Sequence, residues 1–482
     1  VKNLGKLRRN ISVALLAIVF SMLLAACGAS ATNTPAPAAA TTAPASAATT
    51  APASAATTAP AATTAAARPT TAAGATPAAT TAAASAPVPT VTPVPPIPQP
   101  AGSIKLTFWY GLSGQLGNVV QQTVNKYNQS QNKYYVEAIF QASYDDTINK
   151  VNTSLAGGNL PNILQIFDAG TQRMIDTGRV VAVQDLVEKD KEKDKLQTWI
   201  EDLEPAVRSY FTVNGKLWSM PFNNSTAMVY YDKKAFREAG LDPEKKIWTY
   251  NELVEAGKKL TKKDASGKVT RTGIAFQPAS WFFEQQLAVH NELLVDPQNG
   301  RQGRGTKYAF NNETGIKWLE FLKKVQDEGA GTNYGSVSPQ NAFVKGEAAI
   351  HFDSIASLRG IVGSVESAKS GVEVGVAYMP RRDGAPAYGR TIIGGASLWI
   401  TDQGSKEQQE GAWDFVKWSI QADTQAFWSS NTGYYPVRRA SYELPEMKEA
   451  LAKYPQFQVA IDQIRSAPAN PFNAGGISGT FV

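Results

Sequence analysis

From Ile104 the chain alternates apolar and polar positions. Ile104-Lys105-Leu106-Thr107-Phe108-Trp109-Tyr110 predicts a strand. Gly111-Leu112-Ser113-Gly114 turns the chain, and Val120, Val124 and Tyr127 then recur at helical spacing. Tyr134 to Phe140 predicts a second strand, Thr147 to Ala156 a helix stopped by Gly157-Gly158, and Ile163 to Phe167 a short buried third strand. Strands separated by helices predict right-handed βαβ units and a parallel sheet, an α/β class. In such sheets ligands sit at the carboxyl ends of strands. Trp109-Tyr110, Gln141 to Tyr144, and Asp168 all fall at or just past such ends.

Farther along, Lys216 to Tyr231 predicts two strands around a polar break. Asp232 opens a helix that ends at Gly240, and Thr249 or Asn251 caps the next. Ala348 to Phe352 reads as a buried strand running into Asp353-Ser354, and Thr391 to Ile400 as a strand interrupted by Gly394-Gly395. Helices are expected at 408–420, 423–430 and 446–465.

The first 102 residues follow different rules. Lys2, Lys6, Arg8 and Arg9 precede an uncharged stretch from Ile11 to Ala26, and Leu24-Ala25-Ala26-Cys27 closes it. These are the parts of a secretory signal, and a small-residue run ending in the only cysteine resembles a bacterial lipobox. The expectation is cleavage before Cys27 and a lipid on its sulfur, which anchors the chain to the outer face of the membrane. Residues 28–102 are almost only Ala, Thr, Pro and Ser, and Thr-Thr-Ala-Pro-Ala-Ser-Ala-Ala occurs at 41–48 and again at 49–56. Such a segment has too little large apolar surface to offset ordering entropy, so it is expected to be a disordered, partly polyproline-II tether. The body is then 103–482.

Composition removes several functions. The net charge is +6, and five of those charges lie in the first 102 residues, so the body is almost neutral. That argues against nucleic acid as a partner. With one Cys and two His, His290 and His351, neither a structural zinc site nor an intramolecular disulfide can be built. No Gly-x-Ser-x-Gly elbow is present. No metal, cofactor or catalytic group is expected, and both histidines are expected to be structural. A glycosidase would need paired carboxylates about 5–10 Å apart, and only Asp168 and Asp353 are placed near the strand ends.

Four ordered stretches carry a resemblance: Phe-Trp-Tyr-Gly-Leu-Ser-Gly-Gln-Leu-Gly at 108–117, Met-Pro-Phe-Asn-Asn-Ser-Thr at 220–226 with Tyr230-Tyr231, Ile-Ile-Gly-Gly-Ala-Ser-Leu-Trp at 392–399, and Thr-Gly-Tyr-Tyr-Pro-Val at 432–437. In these the body resembles the extracellular solute-binding proteins of ATP-binding-cassette importers. It falls in their maltodextrin-like group and is most similar to the branch that binds glycerol phosphates. The resemblance implies a type II periplasmic-binding fold: two discontinuous α/β lobes, about 103–215 with 348–398 and about 220–346 with 402–482, with the ligand in the cleft. It implies a monomer that closes about a hinge, meets a permease and catalyses nothing. The ligand implied is glycerol 3-phosphate or a glycerophosphodiester, with a neutral sugar or oligosaccharide as the alternative.

By the same resemblance the ligand is held by Tyr144, Asp168, Ser225, Ser354, Gly395 and Tyr434, with Trp281 as an aromatic wall. Hydroxyls and a glycine N–H would serve a phosphate, and Asp168 would accept from polyol hydroxyls. In the family the chain continues past the equivalent of Phe481-Val482 into a phosphate-binding arginine and a terminal helix, so a natural chain longer than this sequence is expected.

Overall fold

The computed structural model describes residues 92–385 and 391–466. Cys27 and most of the expected tether lie outside the described residues. Strands β1 (Ile104–Tyr110), β2 (Tyr134–Phe140) and β3 (Ile163–Phe167) form where the alternation places them. β1 pairs in parallel with β2 along its length and with β3 at Phe108 and Trp109. The first connecting helix, Gly114–Ser130, buries Val120, Val124 and Tyr127. The second, Tyr144–Leu155, starts three residues before the expected Thr147, because Ser143 caps it: Ser143 Oγ accepts from Asp146 N at 3.0 Å. Tyr144 is therefore the first residue of a helix at a strand end.

β4 (Val180–Val181) follows, and then a small hairpin of β5 (Thr212–Val213) and β6 (Lys216–Leu217). Its turn is Asn214-Gly215, with φ of 51° and 74°, the left-handed pair a tight hairpin requires. β7 (Met220–Ser225) and β8 (Ala227–Asp232) are both fully buried and separated only by Thr226. The chain continues through β9 (Lys262–Lys263), β10 (Val269–Phe276), β11 (Val295–Asp296), β12 (Lys307–Tyr308), β13 (Gly331–Asn333), β14 (Ala348–Ser354), β15 (Val374–Tyr378) and β16 (Gly394–Thr401).

Two mixed sheets result. The first runs β2-β1-β3-β16-β4 with β7 alongside β16, and the second runs β13-β10-β14-β8-β15 with β9 on β10. The expected parallel pairing holds for β1 with its two neighbours and for β10 with β13 and β14. β16 runs antiparallel to β3, β4 and β7, and β8 antiparallel to β14 and β15. Neither of those strands arrives through a helical crossover within its own sheet, so nothing forces it parallel.

The chain thus changes lobe at Thr226 and again between β15 and β16. The helix Lys406–Ser419 packs on β1 and β16, whereas Gln456–Ser466 packs on β15, which puts a third passage between them. This corrects the expected division. Residues 348–378 were assigned to the first lobe, but β14 and β15 complete the second sheet, and the chain returns only at Gly394. Residues 402–419 belong with the first lobe. A buried apolar run looks alike in either sheet, so the sequence pattern does not assign it.

Three boundaries also differ. The strand expected from Thr391 begins at Gly394, whose partner Gly395 takes φ +90° beside a register shift at Ala396/Ser397. The helix expected over 446–465 is two, Pro445–Lys453 and Gln456–Ser466, because Pro455 cannot continue the first. The tether, expected to reach 102, ends earlier. Asn118 accepts from Val94 N at 3.1 Å and donates to Thr92 O at 2.7 Å, and Asn125 repeats the pattern on Ile97 N (3.3 Å) and Pro95 O (2.9 Å). Two amides one heptad apart on the first helix therefore clasp an extended proline-rich strap, an interaction that composition alone does not reveal.

Both histidines are placed as expected. His351 is fully buried in β14, stacked on Tyr230 with ring centroids 5.1 Å apart, and neither ring nitrogen has a hydrogen-bond partner. His290 ends the helix Ser280–Val289, where Nε2 accepts from Arg382 N at 3.2 Å.

Candidate functional site

The carboxyl end of β3, the end of β7 and the start of β16 meet at one place. Ala396 stands opposite Phe167, and Gly394 opposite Ser225. Asp168 follows directly after β3, so Asp168, Ser225 and Gly395 share one sheet edge. Glycine is required twice here. A Cβ on Gly395 would lie 1.9 Å from Asn223 O, and one on Gly394 would lie 2.5 Å from the Trp281 ring and 3.2 Å from Ser225 Oγ. Trp281, on a helix of the second lobe, thus packs directly over Gly394. Its Nε1 is buried without a partner.

Tyr144 stacks on Phe167, with centroids 5.5 Å apart and planes 12° apart. Its hydroxyl accepts from Asn223 Nδ2 at 2.8 Å and lies 3.4 Å from the Tyr434 hydroxyl. Tyr434 is 4% exposed and stacks on Trp428. The turn before it is seated on the second lobe, since a Cβ on Gly433 would meet Ile355 O at 2.2 Å. Ser354 Oγ accepts from Ala356 N at 3.1 Å and caps a short turn, and its carbonyl accepts from Tyr230 OH at 2.8 Å. With its oxygen accepting, the Ser354 hydroxyl proton remains available to a ligand. Tyr144 and Tyr434 thus meet directly, Trp281 and Ser225 both lie against Gly394, and Ser354 stands opposite Ala227, two residues past Ser225.

Two carboxylates lie near the paired tyrosines, Asp168 acting on Tyr144 and Asp353 on Tyr434. Burial pushes Asp168 up to about 6, with the Tyr210 hydroxyl and Arg301 working against the rise. Burial also pushes Asp353 up to about 6, opposed by the Ser354 N–H, which donates to it at 2.6 Å, and by Ser357. Burial raises the phenols of Tyr144 and Tyr434 as well, so both are neutral donors at neutral pH.

The sequence reading missed the residues that hold this arrangement. Gln165, fully buried in the middle of β3, accepts from Gly111 N at 3.0 Å and donates to Asn223 Oδ1 at 2.9 Å. Asn223 in turn fixes Tyr144. A glutamine inside an otherwise apolar strand was the available signal, since a buried amide must find partners. Among the described residues no cluster of three or more metal-ligating side chains occurs, and no helix is long and apolar enough to cross a membrane.

Residues 122–458 match the family model of the bacterial extracellular solute-binding proteins. The chain belongs to this family. It is 30% identical over 376 residues to the sn-glycerol-3-phosphate-binding periplasmic protein UgpB of Yersinia pseudotuberculosis, an alignment that covers 77% of this chain and 82% of that protein. UgpB of Salmonella typhimurium matches at 30% over the same length. Among solved structures, UgpB from Mycobacterium tuberculosis in complex with glycerophosphocholine superposes with a TM-score of 0.63 at 22% identity, covering 76% of this chain and 87% of that one. Maltose-bound MalE3 of T. maritima superposes with a TM-score of 0.61 at 22% identity, covering 76% and 88%. The fold is thus the two-lobed periplasmic-binding fold. The members of this family are solute-binding proteins.

Proposed function

We propose that the chain is the capture subunit of an ATP-binding-cassette importer, held to the outer face of the membrane by a lipid on Cys27. It takes glycerol 3-phosphate or a glycerophosphodiester into the cleft and delivers it to the permease. The reading is supported by the pair of phenol hydroxyls of Tyr144 and Tyr434, 3.4 Å apart, with the hydroxyls of Ser225 and Ser354 as further neutral donors near the glycine-lined strand end. Such donors suit phosphate oxygens without the desolvation cost of a buried ion pair. Asp168 suits the glycerol hydroxyls, which donate to it, and the Trp281 ring suits carbon. The curated relatives point to the same ligand class.

Ligand contacts come from two lobes joined by short passages, so they are complete only when the cleft shuts. The ligand then shifts the open–closed equilibrium by the contacts unique to the closed form. Titration calorimetry of the secreted chain against glycerol 3-phosphate, glycerophosphocholine and maltose tests the reading. Binding of either glycerol phosphate with no heat from maltose is expected. Binding of maltose alone overturns it in favour of a neutral-sugar receptor.

A further inference from the structure

A run of hydrogen bonds ends on Tyr144. Gly111 N donates to Gln165 Oε1 at 3.0 Å, Gln165 Nε2 donates to Asn223 Oδ1 at 2.9 Å, and Asn223 Nδ2 donates to the Tyr144 hydroxyl at 2.8 Å. Gln165 and Asn223 are both fully buried. The start and the end of the run lie at one corner. A Cβ on Gly111 would meet the Ser143 carbonyl carbon at 2.5 Å and Tyr144 N at 2.7 Å.

The direction of the run is fixed at its first member. A backbone N–H can only donate. It therefore holds the Gln165 oxygen, which turns the Gln165 nitrogen toward Asn223. That nitrogen holds the Asn223 oxygen and leaves the Asn223 nitrogen for the phenol. Turning either amide round would set two donors face to face. An isolated amide side chain offers either end, but here a backbone group removes the choice.

The consequence falls on the Tyr144 hydroxyl. Its oxygen accepts from Asn223, so its proton points elsewhere. Its ring is held by stacking on Phe167, the last residue of the strand that carries Gln165. The Tyr434 oxygen, at 3.4 Å, is beyond the roughly 2.5–3.0 Å of a close hydroxyl hydrogen bond. Among the described residues neither phenol has a nearer acceptor for its proton.

We infer that Gln165 and Asn223 are positioning residues that set the polarity of the site: by filling the accepting side of Tyr144 they turn its proton toward the ligand. This point then takes an oxygen that carries no proton of its own. An ionised phosphate oxygen only accepts, and it strengthens the bond by its charge. A sugar hydroxyl can accept there too, but its own proton must then find a second acceptor or stay unpaired, which costs affinity. The inference rests on the reading of Tyr144 and Tyr434 as ligand-binding groups.

Calorimetry with glycerophosphocholine compares wild type, Tyr144→Phe, Asn223→Asp and the double variant. Aspartate keeps the size of asparagine but, when ionised, only accepts, so Tyr144 donates to it and presents its oxygen to the ligand. In the wild-type background Tyr144→Phe is expected to weaken binding about tenfold, the loss of one hydrogen bond to a charged group. In the Asn223→Asp background the same change should cost less than about twofold, because the ligand has already lost that proton. Equal losses in both backgrounds mark Asn223→Asp as a change of charge or packing alone and overturn the inference. Should Asn223→Asp not fold, Gln165→Glu takes its place. One of its carboxylate oxygens keeps Gly111 N, the other takes the Asn223 nitrogen, and Asn223 then offers its oxygen to Tyr144. Neutron diffraction from deuterium-exchanged crystals of the unliganded protein reads the direction without any ligand. Deuterium on Asn223 Nδ2 pointing at the Tyr144 oxygen is expected, with the deuterium of Tyr144 turned away. A Tyr144 deuterium pointing at Asn223 overturns the inference. If wild type ignores glycerophosphocholine while the deuterium positions are as expected, the ligand reading fails and the polarity of the relay stands.

Discussion

The Tyr144 hydroxyl lies 3.4 Å from the Tyr434 hydroxyl across a separation of 290 residues. One phenol comes from the start of the first lobe's second helix and the other from the turn that follows the helix Ala422–Asn431. Asn223 Nδ2 fixes the first at 2.8 Å, so the pair is oriented by the strand that leads into Thr226. Tyr434→Phe removes one donor and keeps the ring stacked on Trp428. The expected outcome is a tenfold or so loss of affinity for a glycerol phosphate, from one lost hydrogen bond of about 1–1.5 kcal/mol. Thermal melts should show stability within about 1 kcal/mol of wild type. Calorimetry showing unchanged affinity would remove Tyr434 from the site.

Gly395→Ala should fail differently. At φ +90° a side chain is strained whatever the space, and here its Cβ would sit 1.9 Å from Asn223 O. Asn223 cannot move away without releasing Tyr144 and Gln165. The variant is therefore expected to lose about 3 kcal/mol or more of stability and to bind no ligand. Chemical denaturation followed by tryptophan fluorescence measures the first and calorimetry the second. A variant as stable as wild type would show that the strand end relaxes freely.

How much of this was readable beforehand depends on the range of the cause. Ser143 and Thr249 cap helices through neighbours three residues away, and Asn214-Gly215 turns a hairpin through its own backbone, so local rules reach them. The seven proposed binding positions were legible only through the family resemblance. Periodicity places Tyr144 and Asp168 at strand ends but gives no reason to join them to Tyr434. The assignment of β14 and β15 was not legible at all, because each strand is as apolar as a first-lobe strand would be, and distant pairing partners in β8 and β10 decide.

Asp353→Asn should stabilise the protein in mild alkali and do nothing in acid. Its folded pKa of about 6 stands above the ordinary 3.8. The folded state therefore holds the proton more tightly, and the stability this contributes is full below about pH 4 and is lost as pH rises through 6. Asparagine keeps the acceptor for Ser354 N and never ionises. A gain on the order of 2 kcal/mol at pH 8, shrinking to nothing near pH 4, is expected from a shift of this size. Melting curves across that range measure it. An equal difference at all pH values would show that the carboxyl is not the cause.

His351 makes the opposite prediction within the same strand. Burial between Tyr230 and Phe343 pushes its pKa down from 6.5 to about 3, and neither nitrogen is hydrogen-bonded. The unfolded chain takes up the proton first, so stability present above pH 6.5 is lost as pH falls toward 3, by about 1.4 kcal/mol per unit. His351→Phe removes that slope. The larger ring adds a constant cost in a packed site, about 1–3 kcal/mol, but that cost does not depend on pH. The informative quantity is hence the difference between variant and wild type, followed from pH 7.5 to 4.5 by denaturant titration. It should move in favour of the variant by roughly 2–3 kcal/mol over that interval. A difference that stays flat would mean that His351 is reached by water or a proton in the folded state, and that the core beneath the second sheet is looser than its packing indicates.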